Sequence, residues 1–281
     1  MSLLSRVIRR MERIAPLSLA DTTWDNVGLL IEAPFPRQAA NRIFLTIDLT
    51  TQVLEEAIKD EKVGVIIAYH PPIFRGMKRL NMSDVKQAIA LKCAASGISV
   101  YSPHSALDSC EDGVNDWMSR ALGEGSVKPI TPLKEIPQDQ PEAGVGRLFT
   151  LDQPASLSTL VERIKKHLNI EHVRVATSAK HCKQNDQYPQ NIKTIAICAG
   201  SGSSVLFPAK ADLYFTGEMS HHEVLACVED NTSVVLCEHT NTERGYLSNV
   251  LKPRLEKLFS DEDIQVEIVV SQVDADPLKV M

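Results

Sequence analysis

Nine short apolar runs rich in β-branched residues alternate along this chain with amphipathic stretches of helical period. That alternation is how β-α-β units with a largely parallel sheet read in sequence, so the architecture is predicted to be α/β. Strands are predicted over 43–48, 63–69, 98–102, 144–151, 173–177, 192–199, 213–216, 234–237 and 264–270, and helices over 51–59, 83–95, 114–122, 157–168, 221–229 and 243–259. Gly97 and Gly123 stand just past two of these helices, where a left-handed residue closes the last turn. Between Gly123 and Pro141 four prolines (Pro129, Pro132, Pro137, Pro141) interrupt any regular pattern, which predicts a linker and a domain boundary. The polar stretch AKHCKQNDQYPQ, 179–190, predicts an exposed excursion.

Composition limits what such a fold can be used for. The 281 residues suffice for about two domains at the usual ~150 residues each. Thirty Lys and Arg against 36 Asp and Glu leave a net charge of -6, which disfavours nonspecific binding to a phosphate backbone. The six cysteines (Cys93, Cys110, Cys182, Cys198, Cys227, Cys237) form no C-x-x-C pair and read as reduced thiols. No run approaches the roughly 18 apolar residues of a membrane span, and no apolar signal region opens the chain. A cytoplasmic protein is expected. Arg6, Arg9, Arg10 and Arg13 also fit a mitochondrial presequence, yet Leu3, Leu4, Val7, Ile8, Met11 and Ile14 form a helical stripe of the kind that docks on a core.

In an open parallel sheet the carboxyl ends of the strands face one crevice, so residues just after several strands converge though distant in sequence. The 63–69 strand runs into Tyr69, His70, Pro71 and Pro72, and the 98–102 strand into His104 with Asp108 four residues on. The 234–237 strand delivers Glu238 and His239, with Glu243 four residues later. Spacings of i, i+4 put both members of a pair on one face of a helix. Imidazole with carboxylate suits Zn, Fe(II) or Mn, and a carboxylate can bridge two ions. The candidate metal ligands are therefore His70, His104, Asp108, His239 and Glu243. The segment TGEMSHHE, 216–223, adds Glu218 and one of His221 and His222 as candidates for handling protons, and Ser220 with Glu223 reads as a capping box. The stretch CAGSGSS, 198–204, lacks both the lysine of a Walker A loop and a full G-x-G-x-x-G, so it reads as a strand-to-helix turn. Cys198 follows Ile195, Ala196 and Ile197 and reads as an inert buried thiol. Trp24 reads as packing, with Asp25 and Asn26 able to hydrogen-bond at the rim.

Six segments together, TTWDNVGLL, AYHPPIF, YSPHSALD, ICAGSGSS, TGEMSHHE and HTNTERGYL, resemble the Nif-three-like family, whose bacterial members have carried the label type 2 GTP cyclohydrolase I. The resemblance implies two intertwined, similar α/β subdomains with mostly parallel or mixed sheets, here 1–123 with 237–281 and 124–236. It implies a dinuclear metal site between them and, as in bacterial members, a hexameric ring. The family's ligands fall on His70, Asp108, His239 and Glu243. Where the family has a first histidine this chain has Tyr69, a poor ligand because its phenol ionises near 10, and His104 becomes the substitute. Two functions stay open: a metal-dependent hydrolase of a phosphoester or nucleotide-like compound, and a non-catalytic protein that binds a transcriptional adaptor, with a nuclear pool.

Overall fold

A computed structural model describes residues 2–133, 135, 137–182, 190–260 and 265–280. In chain order its elements are α1 (Leu3–Ile14), β1 (Gly28–Ile31), β2 (Arg42–Thr46), α2 (Thr51–Lys59), β3 (Val63–Ala68), α3 (Val85–Ala95), β4 (Ser99–Ser102), α4 (His104–Ser109), α5 (Val114–Ser119), β5 (Gly125–Pro132) and β6 (Gly144–Ala155). Then follow α6 (Leu157–Leu168), β7 (Arg174–Ala176), β8 (Ile192–Ser201), α7 (Ser203–Leu206), β9 (Leu213–Glu218), α8 (His221–Glu229), β10 (Ser233–Leu236), α9 (Arg244–Tyr246), α10 (Lys252–Phe259) and β11 (Glu267–Val270). The chain divides into two units, Met1–Leu107 with Tyr246–Ala275 and Asp108–Gly245 with Asp276–Met281.

The first unit is built on a five-stranded sheet in the order β1-β4-β3-β2-β11, parallel throughout except for β1, which runs against β4. Ile43, Phe44 and Leu45 are all buried in succession because helices cover both faces of a parallel sheet, which removes the in-out alternation of a half-exposed strand. Phe44, Ile66 and Val100 of the sheet pack with Leu54 of α2 and Ile89 and Cys93 of α3. Helix α1 is capped by Ser2, whose hydroxyl accepts the Ser5 N–H, and buries Val7, Met11 and Ile14. The guanidinium groups of Arg6 and Arg10 lie 5.5 and 4.2 Å from the centre of the Phe259 ring, so two of its four arginines are used in packing. Gly97, at φ +71, closes α3 as its position predicts.

The second unit has a six-stranded sheet in the order β5-β6-β8-β9-β10-β7. Here β8, β9 and β10 are parallel, while β5, β6 and β7 run against their neighbours. The proline-rich stretch after Gly123 is not an irregular linker throughout: Gly125–Pro132 forms β5, paired with β6 from Gly125↔Leu151 to Pro132↔Gly144. Pro129 and Pro132 fit there because β5 is the edge strand, where a missing N–H costs no inner hydrogen bond. The single helix predicted over 243–259 resolves into α9, a wide π-helical turn at Leu247–Leu251, and α10. Pro253 in the first turn of α10 lacks the donor that a regular ladder needs, so the helix re-registers there. Of the predicted excursion, residues 183–189 lie outside the described residues, as does Ile264 of the last predicted strand. Ser220 and Glu223 do form the capping box of α8.

Candidate metal centre

In the first unit, hydrogen bonding between β2 and β3 continues past both strands: Tyr69 N–H donates to Thr46 and His70 N–H to Ile47, at 2.9 and 3.0 Å. This sets His70 beside Asp48, and its Nδ1 lies 2.9 Å from Asp48 Oδ1. His104 opens α4 with a positive φ of 26°, and its Nδ1 lies 2.8 Å from Asp25 Oδ1. Asp25 also accepts the backbone N–H and the hydroxyl of Ser105. Burial pushes the Asp25 carboxyl up, but the hydrogen bonds from His104 and Ser105 outweigh it and hold the group below its ordinary value. The rings of Trp24, Tyr69, His70 and Phe74 stand near-perpendicular to His104 with centroids 5.4 to 6.5 Å away.

In the second unit, β10 ends in a sharp reversal at Glu238, which takes the left-handed φ of 65°. Arg174 pairs with Glu238 at 2.9 Å, and His239 begins a 3₁₀ turn that carries the chain to Glu243. His239 Nδ1 lies 2.8 Å from Glu218 Oε1, and its Nε2 faces Glu243 Oε1 at 3.5 Å. Glu243 is 2% exposed. Two glycines make the approach possible. A Cβ at Gly217 would lie 2.9 Å from His239 Cα, and one at Gly200, where φ is +61°, would lie 2.8 Å from both Glu243 Oε1 and His239 Nε2. Gly200 N–H donates to the Thr242 hydroxyl, which in turn donates to His239 O. The main-chain carbonyl of Asp108 accepts the Asn115 side-chain amide, whose oxygen accepts the Ala199 N–H. Burial first, and then the charges of Asp108 and Glu243, push the Cys198 thiol far up, which keeps it protonated and unreactive.

The predicted residues thus meet two outcomes. His239 and Glu243 form the expected i, i+4 pair, and Glu218 joins them through a hydrogen bond to His239. His222 sits exposed on α8, and its ring contact is with His221. What sequence reasoning missed is a repeated second layer. His70, His104 and His239 each place Nδ1 on a carboxylate, that of Asp48, Asp25 and Glu218 respectively. A carboxylate accepting the Nδ1 proton fixes the neutral tautomer in which Nε2 keeps its lone pair, as in metal-binding histidines. At His239 that lone pair points at a buried carboxylate oxygen, and two acceptors 3.5 Å apart are compatible when a cation lies against both. The donor set, imidazole and carboxylate in a pocket that a single Cβ would fill, fits a divalent ion of the borderline-hard class. The signal in the sequence was an acid after the first strand and another beside Trp24, but nothing in their spacing tells which imidazole each would hold.

The architecture is that of an α/β protein with two sheet units whose strand ends carry carboxylate-held imidazoles. Residues 2–277 match the Duf34/NIF3 (NGG1p interacting factor 3) family, and the chain belongs to it. It is 45% identical to the Protein NIF3 homolog of Schizosaccharomyces pombe, over 99% of this chain and 98% of that one. It is 39% identical to NGG1-interacting factor 3 of Saccharomyces cerevisiae, over 99% and 96%. Among solved structures, a hypothetical protein of Staphylococcus aureus has the same fold with a TM-score of 0.82 at 24% identity, each chain covered to 99%. A Bacillus cereus protein related to NIF3 follows at 0.80 and 19%, covering 99% of this chain and 98% of that one. Among the described residues, no helix is long and apolar enough to cross a membrane.

Proposed function

We propose that this protein holds a divalent cation, Zn, Fe(II) or Mn, through His239, Glu243 and Asp108, with His70 and His104 completing the set, and hydrolyses a phosphoester or nucleotide-like compound. His70, His239 and Glu243 each offer a ligand atom of the right type. The observation that carries the reading is the carboxylate on every Nδ1, which aims three Nε2 lone pairs away from their own supports. A bound divalent ion supplies Lewis acidity toward a phosphoryl or carbonyl oxygen. Glu218 holds the proton on His239 Nδ1 and takes up charge there, and exposed His222, four residues further on, exchanges protons with solvent. Tyr69 is buried and its ring packs on His70 and His104, so in this reading it shapes the site instead of ligating.

The test is elemental analysis of purified protein with Asp108→Ala and Glu243→Ala. Each variant should lose bound metal while keeping its far-ultraviolet dichroism, and unchanged stoichiometry in both refutes the reading. Metal-loaded protein should also cleave a generic phosphodiester such as bis(p-nitrophenyl) phosphate, with both variants inactive. The name of the budding-yeast relative, NGG1-interacting factor 3, points to a protein partner for that chain. If metal binds but no hydrolysis appears over a broad ester panel, a partner-binding role with a structural ion is favoured. Self-assembly into a homo-oligomeric ring belongs to the same proposal and is read by light scattering of the eluted protein.

A further inference from the structure

The segment joining β3 to α3 carries Arg75, Lys78 and Arg79 against one acid, Asp84, and Lys86 follows in the first turn of α3, in a chain whose net charge is -6. Arg75, Lys78 and Lys86 line a cleft of about 350 Å³ with Pro72, Phe74, Met77 and Gln87. Asp84 shares that cleft, but its carboxylate accepts the Gln87 N–H as the N-cap of α3. No ion pair involves these three cations among the described residues. One end of the cleft is aromatic. Phe74, 39% exposed, lies 6.2 Å from the ring of Trp24, itself 52% exposed, and both rings adjoin His104. Asn26 donates its side-chain amide to Ile73 O and so ties the Trp24 turn to this loop. Trp24 thus packs on the rings of Phe74 and His104, as its sequence context predicts, while half of its surface stays in solvent.

An exposed tryptophan-phenylalanine pair is costly to leave in water and offers a flat surface for stacking a planar ring, while a lysine and arginine cluster a few residues away attracts an anion. We infer that this cleft is a binding subsite for a small compound carrying a phosphate group and a planar ring, the phosphate on Arg75, Lys78 and Lys86 and the ring on Trp24 and Phe74. The cleft's size, at the lower end for ligand pockets, suits one mononucleotide-sized molecule. The inference deepens the hydrolase reading by naming its substrate class, and it is tested apart from the metal.

The chain has two tryptophans, and Trp117 is 2% exposed, so a ligand stacking on Trp24 is read directly by fluorescence quenching. Full-length protein stripped of metal with EDTA is titrated with adenosine 5′-monophosphate, adenosine and inorganic phosphate. The monophosphate should quench saturably and adenosine more weakly, and Trp24→Phe should abolish the signal. Arg75→Ala with Lys78→Ala should weaken the monophosphate about tenfold and leave adenosine within about twofold, as loss of charge-assisted hydrogen bonds to phosphate alone requires. These positions are exposed, and an unchanged thermal midpoint shows that the variant is folded. Equal affinity of wild type and double variant for the monophosphate overturns the proposal, as does quenching that appears only when metal is restored. A single-stranded oligonucleotide that competes as well as the monophosphate also overturns it, in favour of a nucleic-acid surface.

Discussion

Gly200→Ala separates the site from the fold. At φ +61° an alanine costs about 1 to 2 kcal/mol of backbone strain wherever it is placed. Its Cβ would stand 2.8 Å from Glu243 Oε1 and from His239 Nε2, against ordinary contacts near 3.4 Å and beyond, so both atoms must retreat by about half an ångström. Both are the far ends of side chains, and they yield without moving β8 or β10. The strain alone predicts a fall in thermal midpoint of a few degrees, since about 1 kcal/mol shifts a domain of 150 to 250 residues by roughly 2 to 4 °C. Metal affinity should fall much further, about 10- to 100-fold, because ligands displaced by half an ångström lose a shared coordination geometry. The assay pairs calorimetric melting with zinc titration against a chromogenic chelator. Wild-type zinc affinity in a variant with the small thermal loss refutes the argument that His239 and Glu243 face one ion.

Asp48→Asn offers His70 Nδ1 an amide in place of a carboxylate, which weakens the preference for the ligating tautomer. A loss of about tenfold in metal affinity with little change in stability is expected, and Glu218→Gln should act in the same way on His239. Asp212, just before β9, provides a pH test at the opposite end of that strand from Glu218. Burial pushes its carboxyl up, but Lys180, the backbone N–H groups of Lys193 and Thr194 and the Thr194 hydroxyl outweigh this and bring it to about 2 from the ordinary 3.8. A lowered folded value means that its stabilisation, at most about 2 kcal/mol, is complete above about pH 5 and is lost as pH falls from there through about 2. Asp212→Asn should therefore lower the urea midpoint at pH 7 and lose most of that difference at pH 2.5, and an undiminished difference at pH 2.5 would contradict the linkage. Among the cysteines, burial pushes the Cys93 thiol up to about 12 and raises Cys198, Cys227 and Cys237 as well, while Cys182 is only half-buried. Iodoacetamide on the native protein at pH 8 should label Cys182 first by peptide mass mapping, and early labelling of Cys198 would refute the inert-thiol reading.

The α/β class and most strands were legible because β-branched runs buried on two faces have no other use, as Ile43, Phe44 and Leu45 show. The edge strand β5 was not, since Pro129 and Pro132 speak against a strand unless one knows that it ends the strand order of its sheet. Half of the site was equally open to reading. His239 and Glu243 declare themselves by an i, i+4 spacing, which is a local property. The pairing of His70 with Asp48 depends on how β2 and β3 are aligned past their ends, and that of His104 with Asp25 joins segments 79 residues apart. Long-range registration of this kind leaves no trace in a single sequence.

The exposure of Trp24 depends on the same long-range registration, since the rings it packs on come from other segments. A tryptophan beside an aspartate at the head of a strand is usually there for packing, and the side chain of Asp25 is indeed covered, hydrogen-bonded to His104 and Ser105. The indole one residue earlier stands half in solvent against Phe74. A fold selected only for stability would gain by turning such a ring inward, at about 25 cal/mol for each Å² of apolar surface removed from water. Keeping it exposed next to His104 and against Phe74, which lines the cleft of Arg75, Lys78 and Lys86, forgoes that stabilisation. The loss is understandable if the surface is covered during function, and the monophosphate titration decides whether it is.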